Sequence, residues 1–140
     1  MEERGASMTM VLDASTAASW NYPDEIDDRA AGLRQRVESQ GAVVPSLWPQ
    51  ELANSMRNGI RRGRTTRDIA YTFLGLVQSM PIEIDANVLK ADAYFWLSET
   101  LKVTPYDAAY LYLAIERELP IATKDQEMIA AAEWLGIEVL

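Results

Sequence analysis

The sequence predicts an α/β protein, a three-layer α/β/α sandwich in which a five-stranded parallel sheet lies between layers of helices. Short apolar runs alternate with longer segments of helical composition, a pattern typical of βα units. Most of the strand runs are apolar at consecutive positions, as expected for strands that are covered on both faces. At 140 residues and 49% hydrophobic composition, the chain suits one domain with a sizeable core.

The first two elements meet at Asp13. Residues 9–12 are predicted to form a buried strand and residues 14–20 have helical composition, so Asp13 follows a strand and precedes a helix. Residues 25–40 are typical of a polar outer helix, which Gly41 ends. We therefore expect Asp13 at the carboxyl end of a strand, the edge where open parallel sheets bind their ligands.

A second strand is predicted at 42–45, and a turn with two prolines leads from it into a helix over 50–62. Glu51 lies in the first turn of this helix, whose apolar stripe consists of Leu52, Met56 and Ile60. Gly63 ends the helix and Thr66 can cap the next one. The buried stripe of that next helix is predicted to contain Ile69, Phe73, Leu76, Val77 and Met80.

Residues 82–84 alternate between apolar and polar, which predicts an edge strand. The long helix that is predicted over 86–102 has one apolar side, formed by Leu89, Ala93, Trp96, Leu97 and Leu101. Trp96 is expected to anchor the core or a dimer interface, as are Trp20, Trp48 and Trp134.

Residues 104–115 form a predicted helix that is apolar on every face and therefore buried, with Asp107 as its one charge. A buried carboxylate costs several kcal/mol unless a cation or hydrogen bonds compensate for its desolvation. A strand at 119–123, a helix at 126–135 and a fifth strand at 137–140 follow, with Asp125 between the fourth strand and the last helix.

The chain has no histidine and no cysteine. These absences exclude a Ser-His-Asp triad, a Cys-His pair, zinc bound by imidazole or thiolate, and disulfides. The lack of cysteine agrees with a cytoplasmic setting. The longest apolar run, residues 108–115, is too short to cross a membrane.

The net charge of -8 argues against a general nucleic-acid binder. Five arginines nevertheless fall within eleven residues, namely Arg57, Arg61, Arg62, Arg64 and Arg67. A solvated helix end and a surface that guides a nucleic-acid backbone are both open interpretations of this cluster.

Four acids share one context, because each follows a strand or a turn and begins a helix: Asp13, Glu51, Asp107 and Asp125. Each could merely stabilise a helix N-terminus. If they converge, two carboxylates about 4 Å apart repel by roughly 4 kcal/mol, and a divalent cation reverses the sign. Without His or Cys, we expect that cation to be Mg²⁺ or Mn²⁺ and the chemistry to be phosphodiester hydrolysis.

The four acids stand in four sequence blocks, VLDAS at 11–15, PQELAN at 49–54, YDAAYL at 106–111 and ATKD at 122–125, and GIEVL follows at 136–140. In this order the blocks resemble the PIN-domain ribonucleases of the VapC toxin type. The resemblance covers residues 10–140, with 18 residues separating Asp107 from Asp125. It implies the PIN-like α/β/α domain with a five-stranded parallel sheet.

The resemblance also implies the site. The family's acidic quartet corresponds to Asp13, Glu51, Asp107 and Asp125, which would bind one or two Mg²⁺ or Mn²⁺ ions. Thr123 and Asn54 would be nearby polar support. Ser15 could bond a phosphate or simply continue the opening turn of the first helix. Arg57, Arg61, Arg62 and Arg64 would then guide the RNA backbone.

The function expected from the resemblance is that of a metal-dependent endoribonuclease toxin. Family members cut RNA, often as homodimers, and a cognate VapB-type antitoxin neutralises them by laying a segment across the crevice. The alternative is a non-catalytic module on the same fold, whose acidic crevice binds an arginine-bearing protein partner. Residues 1–7 are expected to be a disordered extension or a tag remnant, and residues 8–140 the nuclease domain.

Overall fold

A computed structural model describes residues 9–140, so the predicted extension at 1–7 lies outside the described residues, together with Met8. The strands in this part are β1 (Val11–Leu12), β2 (Ala42–Val44), β3 (Ile82–Ile84) and β4 (Ile121–Ala122). The α-helices are α1 (Ala14–Ser19), α2 (Asp28–Gln40), α3 (Trp48–Arg61), α4 (Arg67–Gln78), α5 (Ala91–Leu101), α6 (Pro105–Arg117) and α7 (Gln126–Leu135). Within residues 9–140, no helix combines the length and the apolar character needed to cross a membrane.

The four strands form one parallel sheet in the order β3-β2-β1-β4. Val11 of β1 pairs with Val43 on one side and with Ile121 on the other. The chain moves outward from β1 through β2 to β3, and then returns to the far side of β1 to form β4. The winding therefore reverses between β1 and β4, which is where ligands bind in open α/β sheets.

The α/β class is confirmed, but the prediction of five strands is wrong, since the described residues form a four-stranded sheet. Residues 137–140 run beside β4 and make one isolated parallel bridge, between Ile121 and Val139. The Ile121 amide donates to the Glu138 carbonyl at 2.9 Å, and the Leu140 amide donates to the Ile121 carbonyl at 2.9 Å. Because β4 is only two residues long, the pairing stops at one residue and no ladder forms.

The core is built around the inner strands. Every residue of β1, β2 and β4 is buried. Consecutive strand residues point to opposite faces, so both faces of these strands are covered. β3 has no buried residue, in agreement with its predicted and observed place at the edge. α6 contacts both β1 and β4 and contributes the fully buried Tyr110 and Leu111.

Two helices begin later than predicted, and in each an aspartate bonds the backbone near the predicted start. α2 begins at Asp28 rather than at 25, since Asp27 caps it by accepting a hydrogen bond from the Ala30 amide at 2.8 Å. α5 begins at Ala91 rather than at 86, and Asp85 accepts a hydrogen bond from the Asn87 amide at 2.8 Å. Such local bonds compete with helical hydrogen bonding.

The predicted apolar stripes are only partly buried. The expected core positions that are buried are Leu52, Met56, Phe73, Val77 and Met80, whereas Ile60, Ile69 and Leu76 are exposed. α5 has no buried residue, and Trp96 is 64% exposed. Of the other tryptophans, Trp20 and Trp48 are buried and Trp134 is exposed. Leu97 and Leu101, on the predicted apolar side of α5, are partly buried and pack against the core.

Candidate active site

Asp13 and Asp125 lie at the carboxyl ends of the neighbouring strands β1 and β4, and both cap helices. Asp13 Oδ1 accepts a hydrogen bond from the Ser15 amide at 3.3 Å, and Asp125 Oδ1 accepts one from the Met128 amide at 2.9 Å. The buried Thr123 hydroxyl joins the two acids, because it donates to Asp13 Oδ2 at 2.7 Å and accepts from the Asp125 amide at 3.1 Å. Capping and Thr123 together fix both acids where the winding reverses.

Asp107 and Glu51 come to the same place from two other helices. Thr104 caps α6 by accepting a hydrogen bond from the Asp107 amide at 3.1 Å, and the Asp107 carboxyl is half-buried. Glu51 lies in the first turn of α3 and is also half-buried. All four acids thus begin helices as predicted, and the positive N-terminal ends of these helices favour their negative charge.

Tyr110 is a residue of this site that the sequence interpretation does not include. It is fully buried in α6, one turn after Asp107. Its hydroxyl donates to Glu51 Oε1 at 2.6 Å and accepts from the Ala14 amide at 3.2 Å. One hydroxyl therefore connects α6, α3 and the start of α1 beside Asp13. The available signal is its spacing, since residues three apart on a helix share a face.

The four carboxylates act on one another electrostatically. The pKa of Asp107 is raised to about 6, first by burial and then by the negative charges of Asp125, Asp13 and Glu51, against a hydrogen bond with Thr104. Because these three charges act on Asp107, the other acids lie within electrostatic reach of its carboxyl. Most of the Asp107 carboxyl is still ionised at pH 7, and the repulsion is present there.

Glu51, like Asp107, is affected by burial and by the charge of a neighbouring acid. Burial raises its pKa and the charge of Asp13 adds to the increase, while the hydrogen bond from Tyr110 works against it. The pKa of Tyr110 is raised by burial and by its bond to Glu51, so its hydroxyl stays protonated. Tyr110 is consequently a permanent donor to Glu51 over the physiological pH range.

The donor types fit a hard divalent cation, because the site offers carboxylate and hydroxyl oxygens and its charges repel one another. Nevertheless, within residues 9–140 no group of three or more acidic side chains already stands in an arrangement that could hold a metal ion. Some oxygens are engaged inside the protein, namely Asp13 Oδ2 by Thr123 and Ser15, and Glu51 Oε1 by Tyr110. The chemistry of the site fits such an ion, whereas a complete ligand set is not preformed.

The predicted supporting residues Ser15, Asn54 and Thr123 differ in their contacts with the acids. The Ser15 hydroxyl donates to Asp13 Oδ2 at 2.9 Å, so Ser15 contacts the site directly. Asn54 is exposed on α3, one turn after Glu51, and its side chain forms no hydrogen bond with the residues that the structure describes. Thr123 is the one of the three that is fully buried.

The four arginines that were expected to guide RNA are divided between two grooves and open surface, with Arg62 and Arg64 at one groove and Arg57 at the other. Arg64 pairs with Asp24 at 3.0 Å and with Glu25 at 2.6 Å, and its guanidinium lies 4.2 Å from the centre of the Tyr22 ring. Its charge is therefore satisfied within the protein. These contacts also raise the pKa of the Arg64 guanidinium, chiefly through Glu25.

The other three arginines point to different surroundings. Arg57 lines an apolar groove of about 510 Å³ between α3 and α4. Arg61 is exposed and donates to Asn58 Oδ1 at 3.5 Å. Arg62 follows α3 and lines a polar groove between α1 and α3. Arg62 forms no ion pair with residues 9–140, whereas Arg64, which lines the same groove, is paired.

Comparison with known proteins supports the fold alone. No family model matches the chain, and no curated protein matches it. The structure is similar to the crystal structure of PAE2754 from Pyrobaculum aerophilum, with a TM-score of 0.73 and 20% sequence identity over 96% of this chain and 91% of that chain. The α/β arrangement therefore recurs almost completely in a solved structure, and the function has to be argued from the residues of the site.

Proposed function

We propose that this chain is a PIN-type ribonuclease of the VapC kind, an Mg²⁺- or Mn²⁺-dependent endoribonuclease that acts as the toxin of a toxin–antitoxin pair in the cytoplasm. The observation that carries the proposal is the electrostatic interaction of Asp107 with Asp125, Asp13 and Glu51 at the switch point of the sheet. The four sequence blocks that contain these acids resemble that family. The isolated bridge of residues 137–140 stands where the family's fifth strand is expected.

The roles of the residues follow from their contacts. Asp13, Asp107 and Asp125 would hold the cation, and Glu51 would be a further ligand or would orient water. Thr123 and Ser15 hold the Asp13 carboxylate, and Tyr110 holds that of Glu51. A bound cation supplies a water of lowered pKa and stabilises the negative charge that develops on the phosphate. The chain would supply ionised oxygens from the starts of four helices, without a histidine.

The direct test is cleavage of a mixture of RNAs by purified protein with Mn²⁺ and with EDTA. We expect cleavage with Mn²⁺ and none with EDTA, and we expect Asp107→Asn to abolish it. Asp68→Asn, which changes an exposed acid on α4, is the matched control and should cut as the wild type does. Equal cleavage with and without metal, or undiminished cleavage by Asp107→Asn, would remove the metal mechanism.

The proposed partner is a cognate antitoxin that lays a segment across the acidic crevice. Carboxylates that repel one another bind a guanidinium group favourably, so an arginine from the partner would suit this site. The same argument supports the alternative function, a non-catalytic binding module. That alternative predicts tight binding of an arginine-bearing partner and no RNA cleavage with any divalent metal, which the cleavage assay distinguishes.

A further inference from the structure

A polar groove runs between α1 and α3 and begins beside the acidic residues. Its volume is about 260 Å³, and the polar residues along it include Ser15 and Ser19 on α1 and Ser55 and Asn58 on α3, with Arg62 just after α3. Because the Ser15 hydroxyl donates to Asp13 Oδ2 at 2.9 Å, the groove starts at the site described above.

One face of α3 links the two ends of this groove. Glu51, Ser55, Asn58 and Arg62 follow one another at intervals of four, three and four residues, and such intervals place side chains on the same helical face. At a rise of 1.5 Å per residue, the distance along the helix from Glu51 to Arg62 is about 16 Å. The face has a carboxylate at one end, a guanidinium at the other and neutral polar groups between them.

Arg62 is available to a ligand, whereas the neighbouring Arg64 is not. The Arg62 side chain is exposed and makes no ion pair or hydrogen bond with the part of the chain that the structure describes. Arg64 is held by Asp24, Glu25 and the Tyr22 ring. The side of the groove formed by Tyr22, Glu25 and Arg64 is therefore closely packed.

Gly59 allows this close packing between α3 and Tyr22. A Cβ added at Gly59 would lie 2.0 Å from the Tyr22 hydroxyl, so the glycine allows α3 to approach Tyr22. Gly59 lies in α3 and is buried between Ser55 and Arg62. Because α3 and Tyr22 are in close contact there, that side of the groove offers little space. The guanidinium of Arg62, which has no partner among residues 9–140, remains as the positive group for a ligand.

The hydrogen-bonding groups of the groove match a ribose-phosphate chain. The Ser15 hydroxyl already donates to Asp13, and the Ser19 hydroxyl donates to the Thr16 carbonyl at 2.6 Å, so their free lone pairs can accept from a ribose 2′-hydroxyl. The Ser55 hydroxyl and the Asn58 amide group can donate to phosphate oxygens, which only accept.

We propose that this groove holds the backbone of a single-stranded RNA substrate, with Arg62 binding the phosphate that lies farthest from the acidic residues. The inference rests on the proposed ribonuclease function and adds to it the path of the substrate. The guanidinium binds a phosphate with charge-assisted, bidentate hydrogen bonds. Glu25 and Arg64 also line the groove, but they pair with each other at 2.6 Å. An extended protein segment is the other conceivable occupant, but the hydroxyl and amide groups of the groove and the guanidinium of Arg62 favour RNA.

The test is binding of a fluorescent single-stranded RNA of about twelve nucleotides, measured by anisotropy in EDTA over a range of salt concentrations. We expect Arg62→Ala to weaken binding about five- to tenfold and to reduce the slope of log affinity against log salt by about 0.7. Arg62→Lys should keep that slope. Arg57→Ala, on the same helix but beside the apolar groove, should bind as the wild type does.

The outcomes separate the path of the substrate from the activity itself. If Arg62→Ala matches Arg57→Ala in affinity and salt dependence while the wild type still cuts RNA with Mn²⁺, the groove is not the path and the proposed function stands. If the wild type neither binds nor cuts RNA, the proposed function fails, and this inference fails with it. Circular dichroism of each variant shows that it is folded.

Discussion

The Tyr110 hydroxyl donates a hydrogen bond of 2.6 Å to Glu51 Oε1, across 59 positions of the sequence. The same oxygen accepts from the Ala14 amide, directly after Asp13. A buried tyrosine in α6 therefore sets the positions of an acid in α3 and of the first turn of α1. The candidate site consequently depends on a core residue as much as on its four acids.

Replacing Tyr110 with phenylalanine tests this relationship. Tyr110→Phe keeps the ring but leaves the Glu51 carboxylate and the Ala14 amide without their partner, so we expect a loss of about 1.5 to 3 kcal/mol in the free energy of unfolding. RNA cleavage should fall about tenfold or more, as for residues that orient metal ligands. Urea unfolding and a cleavage assay measure the two effects.

Tyr112→Phe is the matched control for that experiment. Tyr112 also donates to a glutamate, Glu116, at 2.9 Å, but on the exposed face of α6. Surface changes of this kind usually alter stability by less than about 0.5 kcal/mol. Equal effects of the two substitutions would contradict the special role of Tyr110.

Thr123 provides a second test, because it connects the two acids at the strand ends. Thr123→Val preserves the shape of the side chain but removes the donor to Asp13 and the acceptor of the Asp125 amide, which we expect to cost about 1 to 3 kcal/mol of stability. Thr123→Ser keeps both bonds and loses one methyl group, about 0.8 kcal/mol. The serine variant should retain more cleavage activity, and a valine variant that is the more active of the two would contradict this arrangement.

The raised pKa of Asp107 predicts that removing its carboxylate increases the stability of the folded protein, and that the increase depends on pH. The folded protein holds the Asp107 proton up to about pH 6, above the ordinary aspartate value of 3.8, so folding loses stability as the pH rises through that interval. Asp107→Asn should stabilise the metal-free protein by about 1 kcal/mol at pH 8, after allowance for solvent screening of a half-buried carboxyl. Near pH 3.5 the difference should vanish.

Urea unfolding in EDTA at several pH values measures this difference between the wild type and Asp107→Asn. Asp68→Asn, an exposed acid, should show no such pH-dependent gain. If Asp107→Asn were less stable than the wild type at pH 8, the repulsion among the four acids would be absent from the folded protein.

The pattern of apolar residues predicts the strand-helix alternation well and the exposure of some helices poorly. The strand cores at Val11, Val43 and Ile121 were identifiable because they lie in continuous apolar runs. α5 has an equally apolar side, yet Trp96 is exposed. Periodicity indicates that a face is to be covered, but not whether the cover comes from the same chain.

Some residues of the candidate site could be predicted from the sequence and others could not. Asp13, Asp107 and Asp125 were predictable because each stands where a helix begins. Tyr110 was not, since a tyrosine among alanines and leucines suits a core and its hydroxyl partner is 59 residues away in sequence. The number of strands also depends on long-range pairing, which for residues 137–140 is limited by the short β4.

The predicted homodimer can be tested at the exposed side of α5. Val88, just before α5, and Phe95 and Trp96 within it are each more than 60% exposed, and clusters of this kind often mark interfaces. We expect Trp96→Glu to convert a dimer into a monomer in light scattering coupled to size exclusion. Trp134→Glu, on the exposed face of α7, should remain dimeric, and a monomeric wild type would contradict the prediction.

The central claim is that four acids from different parts of the chain form one site for divalent cations, and titration of the metal-free protein with Mn²⁺ tests it most directly. Electron paramagnetic resonance of free Mn²⁺ should show saturable binding by the wild type, weakened about tenfold or more in Asp107→Asn and in Asp125→Asn but not in Asp68→Asn. Equal binding by all four proteins, or no saturable binding by the wild type, would contradict it.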